Sequence, residues 1–203
     1  PSALAVDPKT GRLFIASLKL GELVVLDDPA AGVREESFRD YAGGLFQDAY
    51  SLLHDGDALY VLHRRNLTRI LDLNHDGQAD RFERVAALPH RTGYSYDWAY
   101  GLVRDRAGRF VISFAPHADD RNLPGMGGIL RWAPHENGAG FSEIGYGLRN
   151  AVGWAAGPNA EIFFSDNQGE WVAANKLCHV VEDRYYGYPN SARPETAKHP
   201  RGD

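Results

Sequence analysis

Four segments of the chain repeat one pattern of apolar and polar positions. In each, an apolar strand leads into a polar turn containing Gly, Asp or Asn, and a second, strongly apolar strand follows. The segments span 4–17, 51–63, 101–114 and 153–166. Their equivalent positions lie 46, 51 and 52 residues apart and are Phe14, Tyr60, Val111 and Phe163. A period of about 40–50 residues with several strands per unit predicts an all-β fold, a β-propeller of four-stranded blades.

The repeat divides residues 1–203 into blades of a single propeller domain or fragment. The predicted blades span approximately 1–43, 44–92, 93–147 and 148–203. The last blade is short of strands. We therefore expect the chain to be a piece of a longer polypeptide that supplies further blades, because an open ring exposes sheet edges that invite aggregation. The alternative is a β-sandwich in which the spacing is coincidental.

Residues 72–83 have the spacing of a complete twelve-residue calcium loop. Oxygen-bearing side chains stand at loop positions 1, 3, 5, 9 and 12, glycine stands at position 6, and position 7 offers its backbone carbonyl. The predicted ligands are Asp72, Asn74, Asp76, Gln78, Asp80 and Glu83. The flanking segments have a strand pattern, so the sequence predicts a calcium clip in a β-hairpin, with a structural rather than catalytic role. The alternative is an Asx-rich turn without metal.

Composition narrows the classes of partner. The 203 residues carry a formal net charge of −5 and no dense stripe of Lys and Arg, which argues against a nucleic-acid partner. No apolar run reaches the length of a membrane span. The single cysteine, Cys178, excludes an internal disulfide framework.

Blade topology sorts the polar loops onto two faces. Because the strands of a blade are antiparallel, the entry to the first strand and the loop between the second and third strands lie on one face. The calcium loop lies on the other. The first face gathers aromatic, carboxylate, amide and arginine side chains, and functional groups tend to occupy loops held by a rigid scaffold. We therefore expect the functional site on this first face.

Three segments resemble the soluble pyrroloquinoline-quinone (PQQ) glucose and sorbosone dehydrogenases. They are Gly147–Trp154, Ile162–Trp171 and Tyr185–Pro189. That family consists of six-bladed propellers that oxidise sugars with PQQ and calcium. Within it, the chain looks most like the large, membrane-bound or secreted dehydrogenase-like proteins of planctomycete-type bacteria, which are often fused to cytochrome c domains. The resemblance implies a six-bladed bacterial parent, a sugar or alcohol substrate and a periplasmic or secreted location.

Carried over position by position, the resemblance also assigns residues to the cofactor. Arg149 and Asn150 match the Arg-Asn pair that contacts the quinone. Gly169 and Glu170 match the turn whose backbone carbonyls hold the cofactor's calcium. An arginine pairs bidentately with a carboxylate, and a divalent ion polarises a quinone carbonyl. The alternative for Arg149 is a structural role in a strand-entry turn.

One pair departs from the family. The sugar dehydrogenases have an Asp-His pair before an innermost strand, and the histidine removes the proton of the sugar hydroxyl. The matching pair here is Asp97 and Trp98. An indole N–H only donates a hydrogen bond, so Trp98 cannot act as the base. His117 is the nearest substitute on the same face, and Asp97 is a further candidate for the base.

Three functions remain open from the sequence. The first is a dehydrogenase domain that needs PQQ, calcium and an electron acceptor. The second is a calcium-stabilised propeller that binds carbohydrate or protein through its aromatic rim, and the missing histidine favours this view. The third is a calcium-dependent lactonase whose channel metal would be held by Asn150, Asp166 and Asn167.

Overall fold

The protein is described here from a computed structural model. The residues that it describes are 1–32, 34, 37–45, 49–63, 65–89, 98–115, 125–133, 140–167 and 174–188. Over these residues the regular structure is sixteen β-strands and one turn of 3-10 helix, Pro29–Ala31. The strands form four sheets in which consecutive strands pair antiparallel. This arrangement confirms the prediction of an all-β fold with four blades of a β-propeller.

The unit Pro1–Arg91 contains two sheets of four strands each. The sheet of blade 1 consists of β1 (Ala3–Val6), β2 (Leu13–Ala16), β3 (Leu23–Leu26) and β4 (Phe38–Ala42). The sheet of blade 2 consists of β5 (Ser51–Asp55), β6 (Ala58–His63), β7 (Asn66–Leu71) and β8 (Arg81–Ala87). Both match the predicted four-stranded blades, and β7 with β8 forms the hairpin expected around the calcium loop.

The unit Thr92–Asp203 contains the other two sheets. Blade 3 consists of β9 (Ala99–Arg104), β10 (Phe110–Phe114), β11 (Gly128–Trp132) and β12 (Phe141–Tyr146). Blade 4 has three strands in the described residues, namely β13 (Ala151–Ala156), β14 (Ile162–Asp166) and β15 (Lys176–His179). The division of the chain into two compact units leaves the single domain over 1–203 as a prediction.

Blade 3 differs from the expected four strands because it gains a fifth. The short strand β16 (Arg184–Tyr185) pairs in parallel with β12. The chain turns at Asp183, whose φ is 59°, and the Asp183 N–H donates to the Ile144 carbonyl at 2.9 Å. The segment that follows blade 4 along the chain therefore completes the outer edge of blade 3.

The core of the first unit lies between the facing sides of blades 1 and 2. Its fully buried side chains alternate along the strands, as expected for sheets with one face packed, and include Phe14, Leu23, Val25, Leu59, Val61 and Ile70. Each such side chain contributes about 1.5–3 kcal/mol through burial. The ring of Phe14 also stacks on His54 of blade 2, with ring centroids 5.4 Å apart. Apolar packing thus fixes the position of one blade against the next.

In the second unit, an equivalent core joins blades 3 and 4. Val111, Ile129 and Phe164 are among its most buried members. Trp154 of β13 lies over Gly101 of β9, where a Cβ atom would be 3.2 Å from the indole. Because Gly101 has a φ of +86° and no side chain, the two innermost strands can approach closely. This contact places the entry of β13, which carries the predicted cofactor residues, against blade 3.

Candidate functional site

The predicted cofactor pair lies where three chain segments of blade 4 meet. Arg149 and Asn150 precede β13, and the strand register places Ala151 opposite Asp166, the last residue of β14. Asp166 is in turn opposite Lys176, the first residue of β15. One end of this sheet therefore brings together the residues that enter the first strand and those that border the loop between the second and third.

The carboxylate of Asp166 fixes the backbone of the predicted pair. Its Oδ1 accepts a hydrogen bond from the Asn150 N–H at 2.7 Å, and its Oδ2 accepts one from the Arg149 N–H at 3.2 Å. The Asn167 N–H then donates to the Asn150 carbonyl at 3.2 Å. These three bonds hold the strand entry in one conformation, so the two side chains start from a defined backbone.

Asp166 is a buried charge with a nearby counter-charge. Its side chain has no exposed surface, and the ammonium of Lys176 lies 3.8 Å from its Oδ2. The same ammonium donates a hydrogen bond to the backbone carbonyl of Tyr186. Taking a carboxylate out of water is costly unless hydrogen bonds and an opposite charge compensate it. Both kinds of compensation are present here.

The side chain of Asn150 leaves one polar atom unmatched. Its Oδ1 is buried and accepts no hydrogen bond from the described residues. An unsatisfied buried acceptor costs about 1–3 kcal/mol, which a bound cation or a donor group would recover. Arg149, beside it, is half-buried. This arrangement fits a ligand that presents a positive centre or a donor to Asn150 and a carboxylate to Arg149.

The other residues predicted for the cofactor and the chemistry lie outside the described residues. They are Asp97, His117, Gly169 and Glu170. Trp98, which the resemblance matches to the family's histidine, is described and half-buried. Its ring meets Tyr100 edge to face, with centroids 6.2 Å apart, and its carbonyl accepts from the Ala115 N–H at 3.0 Å. Trp98 therefore belongs to the packed entry of β9.

The predicted calcium loop connects β7 to β8 and folds on its own side-chain oxygens. Asp80 Oδ2 accepts from the N–H groups of Leu73 and Asn74, at 2.6 and 3.2 Å. Asp72 Oδ2 accepts from the Gly77 N–H at 2.9 Å. Gly77, at loop position 6, has a φ of +88°, which favours glycine. The sharp turn expected at this position is present.

Two observations bear on a cation in this loop. Asp72 Oδ1 is buried and has no hydrogen-bond partner among the described residues. Burial, together with the charges of the Asp72 and Asp80 carboxylates, raises the pKa of Tyr41 to about 12. The first observation identifies a carboxylate oxygen without a hydrogen-bond partner. The second indicates that the Asp72 and Asp80 carboxylates both lie close enough to Tyr41 to disfavour its ionisation.

Glu83 has different partners from the other predicted ligands. Its carboxylate lies 2.7 Å from Nη2 of Arg81 and 3.3 Å from Nη1 of Arg69. Arg69 is directly opposite Glu83 in the register of β7 and β8. Across the described part of the chain, no three carboxylate, histidine or cysteine side chains converge closely enough to hold a metal ion. Calcium in the loop therefore stays a prediction.

Sequence reasoning missed the role of Lys176 and recognised Asp166 only as a metal candidate. Asp166 follows an apolar strand, and a charged residue at a strand end is ordinarily solvated. The only signal in the sequence was the pairing of a carboxylate at the end of one strand with a lysine at the start of the next. That signal is weak because the loop between them is long.

Comparison with known proteins finds similarity only among solved structures, since no family model and no curated protein matches the chain. A glucose dehydrogenase-type oxidoreductase from Thermus thermophilus has 20% identity and a TM-score of 0.68. The PQQ-bound aldose sugar dehydrogenase of Streptomyces coelicolor has 18% identity and a TM-score of 0.69. The apo form of the soluble aldose sugar dehydrogenase of Escherichia coli has 15% identity and a TM-score of 0.70.

These matches cover 94, 96 and 93% of the chain, respectively. The chain in turn spans 65, 64 and 62% of the length of those three proteins. At this level of identity the similarity establishes the fold, and function has to be argued from the site. The chain has the β-propeller fold of soluble sugar dehydrogenases.

Proposed function

We propose that the chain is part of a quinoprotein dehydrogenase that oxidises a sugar or an alcohol with PQQ and calcium. The observation that carries this proposal is the unmatched, buried Oδ1 of Asn150 beside Arg149, on a backbone held by Asp166. The likeness of the fold to sugar dehydrogenases, one of them solved with PQQ bound, supports it.

Each residue of the site would contribute through its own chemistry. When bound, PQQ supplies the oxidising group that accepts a hydride from the substrate. Arg149 would pair with a carboxylate of the cofactor, and Asn150 would direct its Oδ1 to the cofactor or its calcium. Asp97 or His117 would take the hydroxyl proton, a role that contributes about 10²–10⁴-fold in rate. Gly169 and Glu170 would offer backbone carbonyls to the calcium.

A second calcium ion is proposed for the loop of blade 2. The side chains of Asp72, Asn74, Asp76 and Asp80, with the carbonyl of Gln78, would provide oxygen ligands of the kind that calcium prefers. The buried, unpartnered Oδ1 of Asp72 supports this. Glu83 would have to exchange its arginine partners to join the set. A loop of this type fills at millimolar calcium, which agrees with a periplasmic or secreted location.

Further blades are proposed for the whole protein, with six as the total. The side of blade 1 away from the core supports this, because Leu4 and Val6 of its innermost strand are 58 and 55% exposed. Apolar side chains on a sheet face ordinarily pack against another element. A cytochrome c domain in the same polypeptide would accept the electrons. In the described residues no helix is long and apolar enough to cross a membrane.

A non-catalytic propeller that binds carbohydrate or protein is the alternative, and one observation favours it. By the resemblance, Trp98 would take the position of the family's histidine; it packs on Tyr100, and its indole, which only donates a hydrogen bond, would leave this position without a base. A lactonase-type metal site receives less support. Asp166, one of its candidate ligands, is fully buried, and both of its oxygens accept backbone N–H groups.

The deciding experiment is a spectral titration of PQQ in the presence of calcium, comparing the whole protein, with its further blades, with its Arg149→Ala variant. We expect stoichiometric binding that the substitution weakens at least tenfold, the loss of a charge-assisted bond. Arg106→Ala is the matched control, because Arg106 lies in an exposed turn of the same unit. Absence of binding at tens of micromolar PQQ would reject the quinoprotein proposal. Binding of sugars without redox turnover would then support the alternative.

A further inference from the structure

Asp166 has a fully buried carboxylate whose hydrogen bonds go to the backbone of only two successive residues. The side chain has no exposed surface at the end of β14. Among the described polar residues, it is one of the two least exposed, at 1%, together with Ser113. A buried ion is retained at a cost in stability. A neutral residue would be sufficient to end the strand, so the buried charge indicates a further role.

The geometry of its two hydrogen bonds requires a carboxylate. The N–H groups of Arg149 and Asn150 each reach a different oxygen of Asp166, at 3.2 and 2.7 Å. An asparagine has one acceptor oxygen, and its NH₂ group would face the other N–H, donor against donor. An alanine would satisfy neither. The orientation of two successive residues therefore depends on one ionised side chain.

Lys176 is the charge that accompanies this carboxylate. Its ammonium lies 3.8 Å from Asp166 Oδ2 and also donates a hydrogen bond to the carbonyl of Tyr186. The lysine side chain is 33% exposed, so it bridges the buried carboxylate and the surface. Lys176 belongs to β15 and Asp166 to β14, so the pair also links the two strands.

We propose that Asp166 is a positioning residue that presents Arg149 and Asn150 to the cofactor, with Lys176 as its counter-charge. The inference rests on the proposed function, in which Arg149 and Asn150 contact PQQ. Asp166 acts through its hydrogen bonds to the backbone of these two residues and does not itself touch the ligand. Its contribution is to ligand affinity, in excess of any contribution to the stability of the blade.

The test compares Asp166→Asn with a control carboxylate in the same unit. Asp105 also accepts two backbone N–H groups, from Ala107 at 3.0 Å and from Arg109 at 2.9 Å, and it pairs with arginines in a turn of blade 3. For each variant we would measure the PQQ dissociation constant by spectral titration with calcium. Thermal unfolding and the hydrogen exchange of peptide 147–156 would be measured in the absence of PQQ.

Asp166→Asn should weaken PQQ binding by about tenfold or more, the range for a lost hydrogen bond to a charged group, and should speed exchange in 147–156. Asp105→Asn should lower the unfolding temperature and leave PQQ affinity unchanged. If Asp166→Asn does not fold, Lys176→Gln carries the test. Because its side chain is partly exposed, we expect this variant to fold and to lose affinity by a smaller factor.

Two results would overturn the inference. One is unchanged PQQ affinity in both Asp166→Asn and Lys176→Gln. The other is an equal loss of affinity in Asp105→Asn, which would show that general destabilisation is the cause. Failure of the proposed function is distinguishable, since the unaltered whole protein would then not bind PQQ or its Arg149→Ala variant would bind it normally.

Discussion

We expect calcium binding in the loop of blade 2 to stabilise the packing of blade 2 against blade 1, and removal of calcium tests this. The Ala79 N–H donates to the Tyr41 carbonyl of β4 at 2.8 Å, and Ala79 packs against the core shared by the two blades. Gly77 lies against the guanidinium of Arg39, also in β4, so closely that a Cβ would be 2.9 Å from Nη1. A calcium ion that orders the loop should therefore stabilise the junction of the blades.

The size of the effect follows from mass action. A ligand present at 100 times its dissociation constant stabilises the folded state by about 2.7 kcal/mol. In a chain of this length each kcal/mol corresponds to about 2–4 °C. Chelation should therefore lower the unfolding temperature by about 5–11 °C, measured by calorimetry in millimolar calcium and again in excess chelator.

Asp72→Asn identifies the ion as the cause. An asparagine can retain the hydrogen bond from the Gly77 N–H, while its NH₂ replaces the buried Oδ1 that has no partner among the described residues. Without calcium, the variant should match the parent or exceed it in stability, because an uncompensated buried charge is removed. With calcium, the variant should lose the stabilisation. Asp57→Asn, at an exposed carboxylate of the same unit, should leave the calcium effect intact.

Hydrogen exchange locates the effect. Calcium should slow exchange in residues 72–83 and also in β4, which the loop contacts through Tyr41. Protection confined to 72–83 would refute the fastening of the two blades. An unfolding temperature that does not respond to chelation, or an equal loss in Asp72→Asn with and without calcium, would refute the ion itself and leave an Asx-rich turn.

Three further outcomes are expected. In a denaturant titration, Gly147→Ala should destabilise the second unit by more than about 3 kcal/mol. The reason is that Gly147 has a φ of +86° and a Cβ there would collide with the Tyr185 ring. Gly108→Ala is the control and should cost about 1 kcal/mol, because Gly108 has a φ of +77° but open space around it. Burial lowers the pKa of His63 to about 4. The contribution of neutral His63 to the free energy of unfolding is therefore fully present above about pH 6.5 and falls by roughly 3 kcal/mol at most as the pH drops from about 6.5 to about 4. His63→Gln should flatten this pH dependence, and parallel pH profiles of stability for parent and variant would contradict the prediction. Burial disfavours the ionised form of Asp105, but hydrogen bonds from Arg109 outweigh it and hold the pKa of Asp105 below its usual value; its contribution is present above about pH 4 and lost below, so Asp105→Asn should weaken the acid transition measured by circular dichroism.

The repeat of apolar strands and polar turns was enough to predict four sheets, and the loop at 72–83 was enough to predict a hairpin turn with glycine at its sixth position. Both succeed because they depend on neighbouring residues. Strand alternation, the left-handed conformation of Gly77 and the Asx bonds of Asn74 and Asp76 are set within a few positions of the chain. The motif also named Asp72, whose buried oxygen proved to have no partner among the described residues.

The tertiary structure alone decided which partners the polar residues have. Glu83 pairs with Arg69 and Arg81, and β16 pairs with β12 of blade 3. Asp166, paired with Lys176, accepts hydrogen bonds from the backbone N–H groups of Arg149 and Asn150. Apart from Arg81, which precedes Glu83 by two residues in the same strand, these partners come from different strands, so sequence spacing does not predict them. Whether a carboxylate is solvated or buried depends on how those strands pack. The energy of a charge depends on its surroundings far more steeply than that of an apolar side chain, so the packing determined where the charged residues act.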